Sequence, residues 1–178
     1  KKYGGVYPTL AVREHKKNLP IALSKALKIY RGRAPIDFIA VTVGPGLDPC
    51  LWAGVNFAKE LAKNWGLPIV PVNHIEAHIL VNFMDVRRPK GHRTSLFPAL
   101  ALIVSGGHTQ LILMKGFGKY KILGETRDDA AGECFDKAAR ILGLGYPGGP
   151  IVAKTAKKIN RGPTSVNLPR PMIYQKNY

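Results

Sequence analysis

The 178-residue sequence has little cysteine, no long apolar run and three segments that are almost free of acidic residues. Cys50 and Cys134 are far apart in the chain and belong to no metal-binding or redox pattern, so we expect reduced thiols in a cytoplasmic protein. No apolar stretch is long enough to cross a bilayer, which argues against a transmembrane helix. The opening residues 1–5 also lack the apolar core of a signal peptide.

The shortage of acidic residues makes the charge of the chain uneven. The formal net charge is +16. Residues 1–33 contain nine Lys or Arg and one acidic residue, and residues 85–93 contain four and one. Residues 151–178 contain six Lys or Arg and no acidic residue. A segregated basic surface attracts polyanions such as nucleic acid. Charge alone is equally consistent with a basic proteome or an acidic partner, and no RNA-binding signature of the RRM or KH type is present.

The apolar pattern of the first half predicts alternating strands and helices. A helical stretch over 9–30 is expected in two pieces, because Pro20 suits the first turn of a second helix. A buried strand over 36–43, a helix over 51–65, a short strand over 68–72 and a helix over 74–84 then follow. This order predicts a parallel sheet covered by helices, which is an α/β architecture.

The charged stretch 85–95 is the best internal boundary, because the pattern changes after it. Strands over 98–105, 109–115 and 120–126, joined by short turns, predict an antiparallel meander. A helix over 130–144 follows, and another begins near Ile151. We therefore expect two domains, residues 1–94 and residues 95–178.

Two histidines four residues apart form the first candidate site. In "PIVPVNHIEAHIL", Asn73 is suited to cap a helix, and His74 and His78 then share one helical face within reach of a single metal ion. Glu76 lies between them, which differs from the His-Glu-x-x-His order of a zincin. A catalytic metal usually has three protein ligands, and no local residue supplies the third. The spacing therefore leaves open a metal site and two ordinary helix histidines.

Glycines mark the other candidate stretches. In "LIVSGGHTQL" they would let backbone N–H groups approach a phosphate or carboxylate, although an ordinary hairpin turn is the more common explanation of a Gly-Gly pair taken alone. "YPGGP" opens a helix, whose first N–H groups bind anions readily. Gly132 stands inside a predicted helix at a cost of about 1 kcal/mol relative to Ala, which favours close approach of another segment. Glu133 and Lys137 are spaced for an ion pair on that helix.

Taken in order, these stretches resemble one known family. "GPGLDPCLWAGVNFAKELA", "PVNHIEAHIL", "LIVSGGHTQLILM", "ETRDDAAGECFDKAARILGLGYPGGP" and "LPRPM" are similar to motifs of the catalytic subunit of tRNA threonylcarbamoyladenosine synthesis, the Gcp/TsaD type, formerly called an O-sialoglycoprotein endopeptidase. The resemblance implies an actin/Hsp70-like (ASKHA) fold of two lobes around a ligand cleft, with mixed sheets flanked by helices. Residues 1–94 would form the first lobe without its initial strands, and residues 95–178 would begin the second.

The resemblance also implies a reaction and its partners. Members of this family transfer a threonylcarbamoyl group from threonylcarbamoyl-adenylate to N6 of the adenosine that follows the anticodon in tRNA, and AMP leaves. A divalent ion, with Fe(II) favoured and Zn(II) as the alternative, would hold the donor. A related non-catalytic subunit and an ATPase would be the protein partners in the cytoplasm, with no role for a membrane.

Individual residues match the family's functional positions. His74 and His78 match its metal-binding histidines, and no catalytic residue is expected beyond the metal site. The donor- and nucleotide-binding positions are matched by Ile103, Val104, Ser105, Gly106, Gly107, Asp136 and Gly149. The family's third metal ligand, an aspartate, and an asparagine of its nucleotide site are expected to be missing from this chain, so weak or no activity is expected from the chain alone. A non-catalytic binding module and a metalloprotease are the alternatives.

Overall fold

The computed structural model describes residues 7–32, 35–84 and 96–158, together with Pro169. These residues belong to two compact units, one containing residues 7–84 and the other containing residues 96–158. The charged segment 85–95, the opening residues 1–6 and, apart from Pro169, the "LPRPM" motif lie outside the described residues. The assignment of residues 1–94 and 95–178 to two lobes stays a prediction.

The first unit is a parallel strand pair with helices. Its elements are α1 (Pro8–Tyr30), β1 (Ile39–Gly44), α2 (Asp48–Trp65), β2 (Ile69–Asn73), α3 (His74–Leu80) and a 3-10 turn (Val81–Phe83). Strands β1 and β2 pair in parallel, with Ile39 opposite Ile69, which confirms the predicted parallel sheet. The most buried side chains come from the two helices that follow these strands: Ala53, Ala58, Ala62, Ile75 and Ile79.

Helix α1 is continuous, and the predicted break at Pro20 is wrong. A proline inside a helix removes one backbone hydrogen bond and usually costs about 3 kcal/mol. Contacts with α2 lie at this position and after it, since Pro20, Leu23 and Leu27 line a cavity of about 560 Å³ together with Phe57 and Leu61. This packing against α2 offsets part of the cost of the internal proline.

The second unit is an antiparallel meander followed by two helices. Its elements are β3 (Ala99–Val104), β4 (Thr109–Gly116), β5 (Lys119–Glu125), α4 (Ala131–Ile141) and α5 (Gly148–Ala156). The strand order β3-β4-β5 confirms the predicted meander. Ile112 and Met114 of the central strand are buried, as are Ala130 and Ala139 next to and within α4. The buried side chains of this unit thus lie on the central strand and next to or within α4.

Both units combine a small sheet with helices, so the mixed α/β class is confirmed. Helix α5 begins at Gly148 rather than near Ile151, because its first N–H group is bound by the Asp136 carboxylate of α4. Across residues 7–32, 35–84 and 96–158, no helix is both long enough and apolar enough to cross a membrane.

Candidate functional site

The start of α3 is fixed by Asn73, the last residue of β2. The Asn73 Oδ1 atom accepts hydrogen bonds from the N–H groups of Ile75 (2.9 Å) and Glu76 (3.1 Å). These bonds satisfy two of the N–H groups that a helix start otherwise leaves unpaired. The strand therefore leads directly into the helix, and His74 occupies the first helical position without an intervening loop.

The two faces of α3 differ in burial. Ile75 and Ile79 are buried, whereas the neighbouring positions His74 and His78 are exposed. The amide of Asn82 donates hydrogen bonds to the carbonyl groups of His78 (2.9 Å) and Ile79 (3.1 Å) at the other end of the helix. The helix is thus anchored by its isoleucines and capped at both ends, which holds the two imidazoles on one short rigid element.

The imidazoles of His74 and His78 face each other. Their Nε2 atoms are 3.2 Å apart, and the rings meet edge to face with centroids separated by 4.5 Å. Two nitrogen ligands of one tetrahedral ion, each at about 2.0–2.1 Å, lie about 3.3 Å from each other. The observed spacing fits two ligands of a shared metal ion. Among the residues that the structure describes, no group of three His, Cys, Asp or Glu side chains could hold a metal ion.

The Ser105–His108 turn closes the β3–β4 hairpin. Ser105 N–H donates to the His108 carbonyl (2.8 Å), and His108 N–H donates to the Ser105 hydroxyl (3.0 Å). Ile103 is half-buried in β3, and Val104 ends that strand opposite Thr109. Gly106 and Gly107 lie at the exposed tip, and a Cβ atom added to either would contact nothing within 4 Å. The tip therefore leaves room for a ligand to approach the backbone closely.

Helix α4 begins directly against this turn. Gly132 N–H donates to the Ser105 carbonyl (3.1 Å), and Ala131 N–H donates to the Thr109 hydroxyl (2.9 Å). A Cβ atom on Gly132 would lie 2.8 Å from both Ser105 O and Gly106 Cα, which is closer than real Cβ contacts allow. The close approach predicted at Gly132 is confirmed, and the neighbouring segment is the hairpin turn.

Asp136 lies one helical turn beyond Gly132 on the same face of α4. Its Oδ1 atom accepts the N–H group of Gly148, the first residue of α5, at 2.6 Å. Gly148 is buried and the following Gly149 is half-buried. The sequence did not indicate this contact, because its partners are twelve residues apart on different elements. The predicted donor-site residues from Ile103 to Gly107 are thus connected through α4 to Asp136 and Gly149.

An ion-pair network lies on the exposed side of α4. Lys137 Nζ is 2.5 Å from Asp129 Oδ1 and 3.2 Å from Glu133 Oε1, which confirms the predicted Glu133–Lys137 pair and adds a second acid. The pKa of Lys137 is raised, first by its hydrogen bond to Asp129 and then by that to Glu133. Thr126 Oγ1 donates to the Asp129 carbonyl (2.8 Å), so the network ties the residues before α4 to the helix.

Helix α1 presents a basic face to solvent. Three exposed cations near the start of the helix, before the residues that line the cavity shared with α2, fall within one third of the helix circumference at 3.6 residues per turn. The members of this basic face are Arg13, Lys16 and Lys17. Arg13 is 3.7 Å from Glu14 on the same helix. An array of cations along one face suits the backbone of a polyanion.

Comparison with known proteins assigns the family. The sequence pattern of the tRNA N6-adenosine threonylcarbamoyltransferase family matches residues 1–178. The tRNA N6-adenosine threonylcarbamoyltransferase of Clostridioides difficile (strain 630) is 46% identical over 179 residues, covering 100% of this chain and 51% of the relative. Those of Persephonella marina and Thermomicrobium roseum are 49% and 50% identical, each covering 97% of this chain and 47% of the relative.

The chain spans about half the length of these curated relatives. The match extends over every candidate residue described above, from the histidine pair to the start of α5. This chain therefore belongs to the tRNA N6-adenosine threonylcarbamoyltransferase family.

Proposed function

We propose that the protein transfers the threonylcarbamoyl group of threonylcarbamoyl-adenylate to N6 of the adenosine following the anticodon in tRNA. The exocyclic amine attacks the carbamoyl carbon and loses one proton to water, the bond from this carbon to the phosphate oxygen breaks, and AMP leaves. The observation that carries the proposal is the pair of imidazole nitrogens 3.2 Å apart on α3, in a chain of this family. Such a pair suits a divalent ion that binds the donor.

His74 and His78 would hold this ion, Fe(II) in preference to Zn(II), since imidazole suits both metals. When bound, a divalent ion supplies Lewis-acid polarisation of the donor's carbonyl group. The role of the protein is to orient the ligands: Asn73 fixes the start of the helix, and the buried Ile75 and Ile79 fix its rotation. Glu76 is placed between the ligands in sequence and is not proposed as a third one.

The donor-binding half of the proposal rests on the second unit. The Ser105–His108 turn would hold the adenylate phosphate through backbone N–H groups, as glycine-rich turns do for other anions. The phosphate contact depends on the end of β3 and the turn after it, which consist of Ile103, Val104, Ser105, Gly106 and Gly107. Gly149 at the start of α5 would approach the nucleotide, because helix N-termini favour negative charge. Asp136 connects α4 to the start of α5, because its carboxylate accepts the Gly148 N–H group.

The tRNA would contact the basic face of α1. Its three exposed cations offer phosphate contacts, which supply most of the sequence-independent affinity of proteins for nucleic acids. A related non-catalytic subunit and an ATPase are proposed as protein partners of the cytoplasmic complex. The actin/Hsp70-like two-lobed architecture, with its first lobe in residues 1–94 and its second beginning at residue 95, is part of the same proposal.

A non-catalytic binding module is the second candidate. It is favoured by one observation, which is that the described residues offer two metal ligands and no group of three. A module of this kind would bind a partner protein or tRNA without transferring the acyl group. No observation favours the metalloprotease alternative, in which a glutamate beside the first histidine would activate water.

A hybrid enzyme tests the proposal. This chain would replace the matching residues of the Clostridioides difficile relative, with which it is 46% identical. The hybrid, with the relative's partner proteins, tRNA, threonine, bicarbonate and ATP, should form threonylcarbamoyladenosine that is detected by mass spectrometry of the digested tRNA.

Substitutions in the hybrid give the control. His74→Ala and His78→Ala should each abolish the product, whereas His15→Gln, on the exposed surface of α1, should retain it. A correctly folded hybrid that binds tRNA and the partner proteins but forms no product would favour the binding module. Full activity without His74 and His78 would refute the proposed role of the pair.

A further inference from the structure

The two edges of the meander differ in charge. Strands β3 and β5 are its outer strands. Strand β5 carries Lys119, Lys121 and Glu125, whereas β3 has no charged residue, and no Lys, Arg, Asp or Glu occurs from position 96 to position 114. Charged side chains on an edge strand, lysine above all, hinder its pairing with a further strand. The β5 edge is thus protected, and the β3 edge is open to a further strand.

The side chains on one face of β3 are apolar and exposed. Leu100, Leu102 and Val104 are 61%, 66% and 56% exposed, and strand alternation places them on the same face. The apolar surface continues inward from the edge, because Leu102 borders a cavity of about 620 Å³ whose lining includes Leu111 and Leu123. A contiguous exposed apolar surface of this kind is typical of an interaction site.

The backbone groups of the same three residues point away from β4. Ser105 N–H donates to the His108 carbonyl (2.8 Å), so these residues face each other as a bonded pair at the end of the ladder. Bonded and non-bonded pairs alternate along an antiparallel ladder, and the β3–β4 register has no bulge. The odd-numbered positions therefore bond to β4, which directs the N–H and C=O groups of Leu100, Leu102 and Val104 at the free edge. Within the part of the chain that the structure describes, β3 pairs with β4 and with no other strand.

This edge is complementary to a second copy of itself. An antiparallel mate related by a two-fold axis at Leu102 would pair Leu102 with its own copy and Leu100 with Val104 of the second copy. All three residues with outward-directed backbone groups would then form bonded pairs. Their side chains would meet across the axis as one apolar cluster, and no like charges would face each other, since β3 carries none.

We propose that the β3 edge is an interface between two copies of this chain, which joins their meanders into one continuous antiparallel sheet. The assembly closes at two copies, because a two-fold pairing uses the same edge of each meander and leaves only the lysine-bearing β5 edges. Three large side chains on each copy form a small interface, in the weak class below about 1,200 Å² of total buried surface. The dimer should therefore dissociate on dilution.

Sedimentation of the nuclease-treated 178-residue chain over a range of concentrations tests the proposal. The average mass should rise from the 19.5 kDa of one chain toward twice that value and stop there. Each chain has a formal net charge of +16, so added salt should strengthen the dimer by screening the repulsion between the two copies. Association through bound nucleic acid would instead weaken as salt is added.

Two substitutions at Leu102 separate the side-chain and backbone contributions. Leu102→Lys places like charges opposite each other at the two-fold axis, and Leu102→Pro removes an N–H group that faces the free edge. Each should weaken dimerisation about tenfold or more. Neither removes a bond to β4, so circular dichroism should show a folded chain. Ile122→Lys, at an exposed position of β5, is the matched control and should dimerise like the wild type.

A cysteine at the two-fold axis reports the register of the pairing. Leu102→Cys is made in a Cys50→Ser/Cys134→Ser background, because both natural cysteines are free thiols. The Cα atoms of a bonded antiparallel pair lie about 5.5 Å apart, which is within the range of a disulfide. Air oxidation catalysed by copper phenanthroline should therefore give a covalent dimer, and Ile122→Cys in the same background should not.

Every outcome decides for or against the interface. A mass of 19.5 kDa at every concentration would overturn it and leave the β3 edge to the additional residues that the longer relatives contain. A dimer that survives both Leu102 substitutions, or that Ile122→Lys disrupts equally, would also overturn it, because another surface would then hold the copies together. Growth beyond two copies would contradict the two-fold pairing. None of these results bears on the proposed acyl transfer, which depends on His74 and His78.

Discussion

Gly132→Ala and Gly54→Ala are the same chemical change in two helices, and we expect them to affect stability in opposite directions. Gly132 lies in the first turn of α4, where an added Cβ would be 2.8 Å from Ser105 O and Gly106 Cα. Gly54 lies inside α2, where an added Cβ would meet nothing within 4 Å. The neighbours at Gly132 are backbone atoms of a hydrogen-bonded turn, which cannot rotate aside as a flexible side chain can.

The magnitudes follow from the interactions that change. Overpacking at Gly132 costs about 1–3 kcal/mol, and breaking the Gly132–Ser105 hydrogen bond would cost about 0.5–1.5 kcal/mol more. The higher helix propensity of alanine offsets at most about 1 kcal/mol of this. Gly132→Ala should therefore lower the free energy of unfolding by about 1–3 kcal/mol, whereas Gly54→Ala should raise it by up to about 1 kcal/mol.

Urea unfolding followed by circular dichroism measures both variants against the wild type. Each kcal/mol corresponds to a shift of about 4–8 °C in Tm for a unit of 60–100 residues, so calorimetry gives an independent reading. Weaker binding of the donor or of AMP should accompany Gly132→Ala, because the Ser105–Gly107 turn must move. Equal stabilities for Gly132→Ala and Gly54→Ala would refute the close packing of α4 against the hairpin turn.

Three further predictions concern the cap, the ion pair and the basic face. Asn73→Ala should destabilise the first unit by about 1 kcal/mol in thermal unfolding and weaken metal binding at His74, whereas Asn73→Asp should retain both properties because its carboxylate still accepts the cap bonds. The raised pKa of Lys137 means that its ion pairs stabilise the fold at a pH below the ordinary lysine pKa of 10.5, and that this stabilisation is lost as the pH rises through the raised pKa. Lys137→Met should therefore be less stable than the wild type at pH 8 and equally stable at strongly alkaline pH. A difference in stability that persists at alkaline pH would contradict this assignment. The double variant Lys16→Gln/Lys17→Gln should weaken tRNA binding. It should also reduce the slope of log affinity against log salt concentration by about 1 for each phosphate that is no longer neutralised. The matched control is the double variant Lys119→Gln/Lys121→Gln, which should leave tRNA binding and this slope unchanged.

The regular elements were predictable because their signal is local. The three strands of the meander and helix α2 have clear periodicities bounded by glycine or proline, and the structure has them within a few residues of the expected positions. The predicted break at Pro20 was wrong because the deciding interactions are not local. The cost of an internal proline is local, whereas the packing that offsets it comes from α2, which the pattern around Pro20 does not contain.

The candidate site was predictable to a similar extent. The His74–His78 pair follows from i, i+4 spacing, and the unusual mid-helix position of Gly132 indicated a close neighbour without identifying it. The Asp136–Gly148 contact had no sequence signal, since a carboxylate on one helix and a glycine at the start of another are common separately. Only the tertiary structure brings them to 2.6 Å.

The most direct test of the account is a Co²⁺ titration of this chain followed by NMR of its five histidines. The account predicts one ion per chain and paramagnetic shifts confined to the rings of His74 and His78, with binding greatly weakened by alanine at either position and unaffected by His15→Gln. Two independent ions, or a single ion whose affinity is unchanged in His78→Ala, would contradict a metal site shared by the two imidazoles.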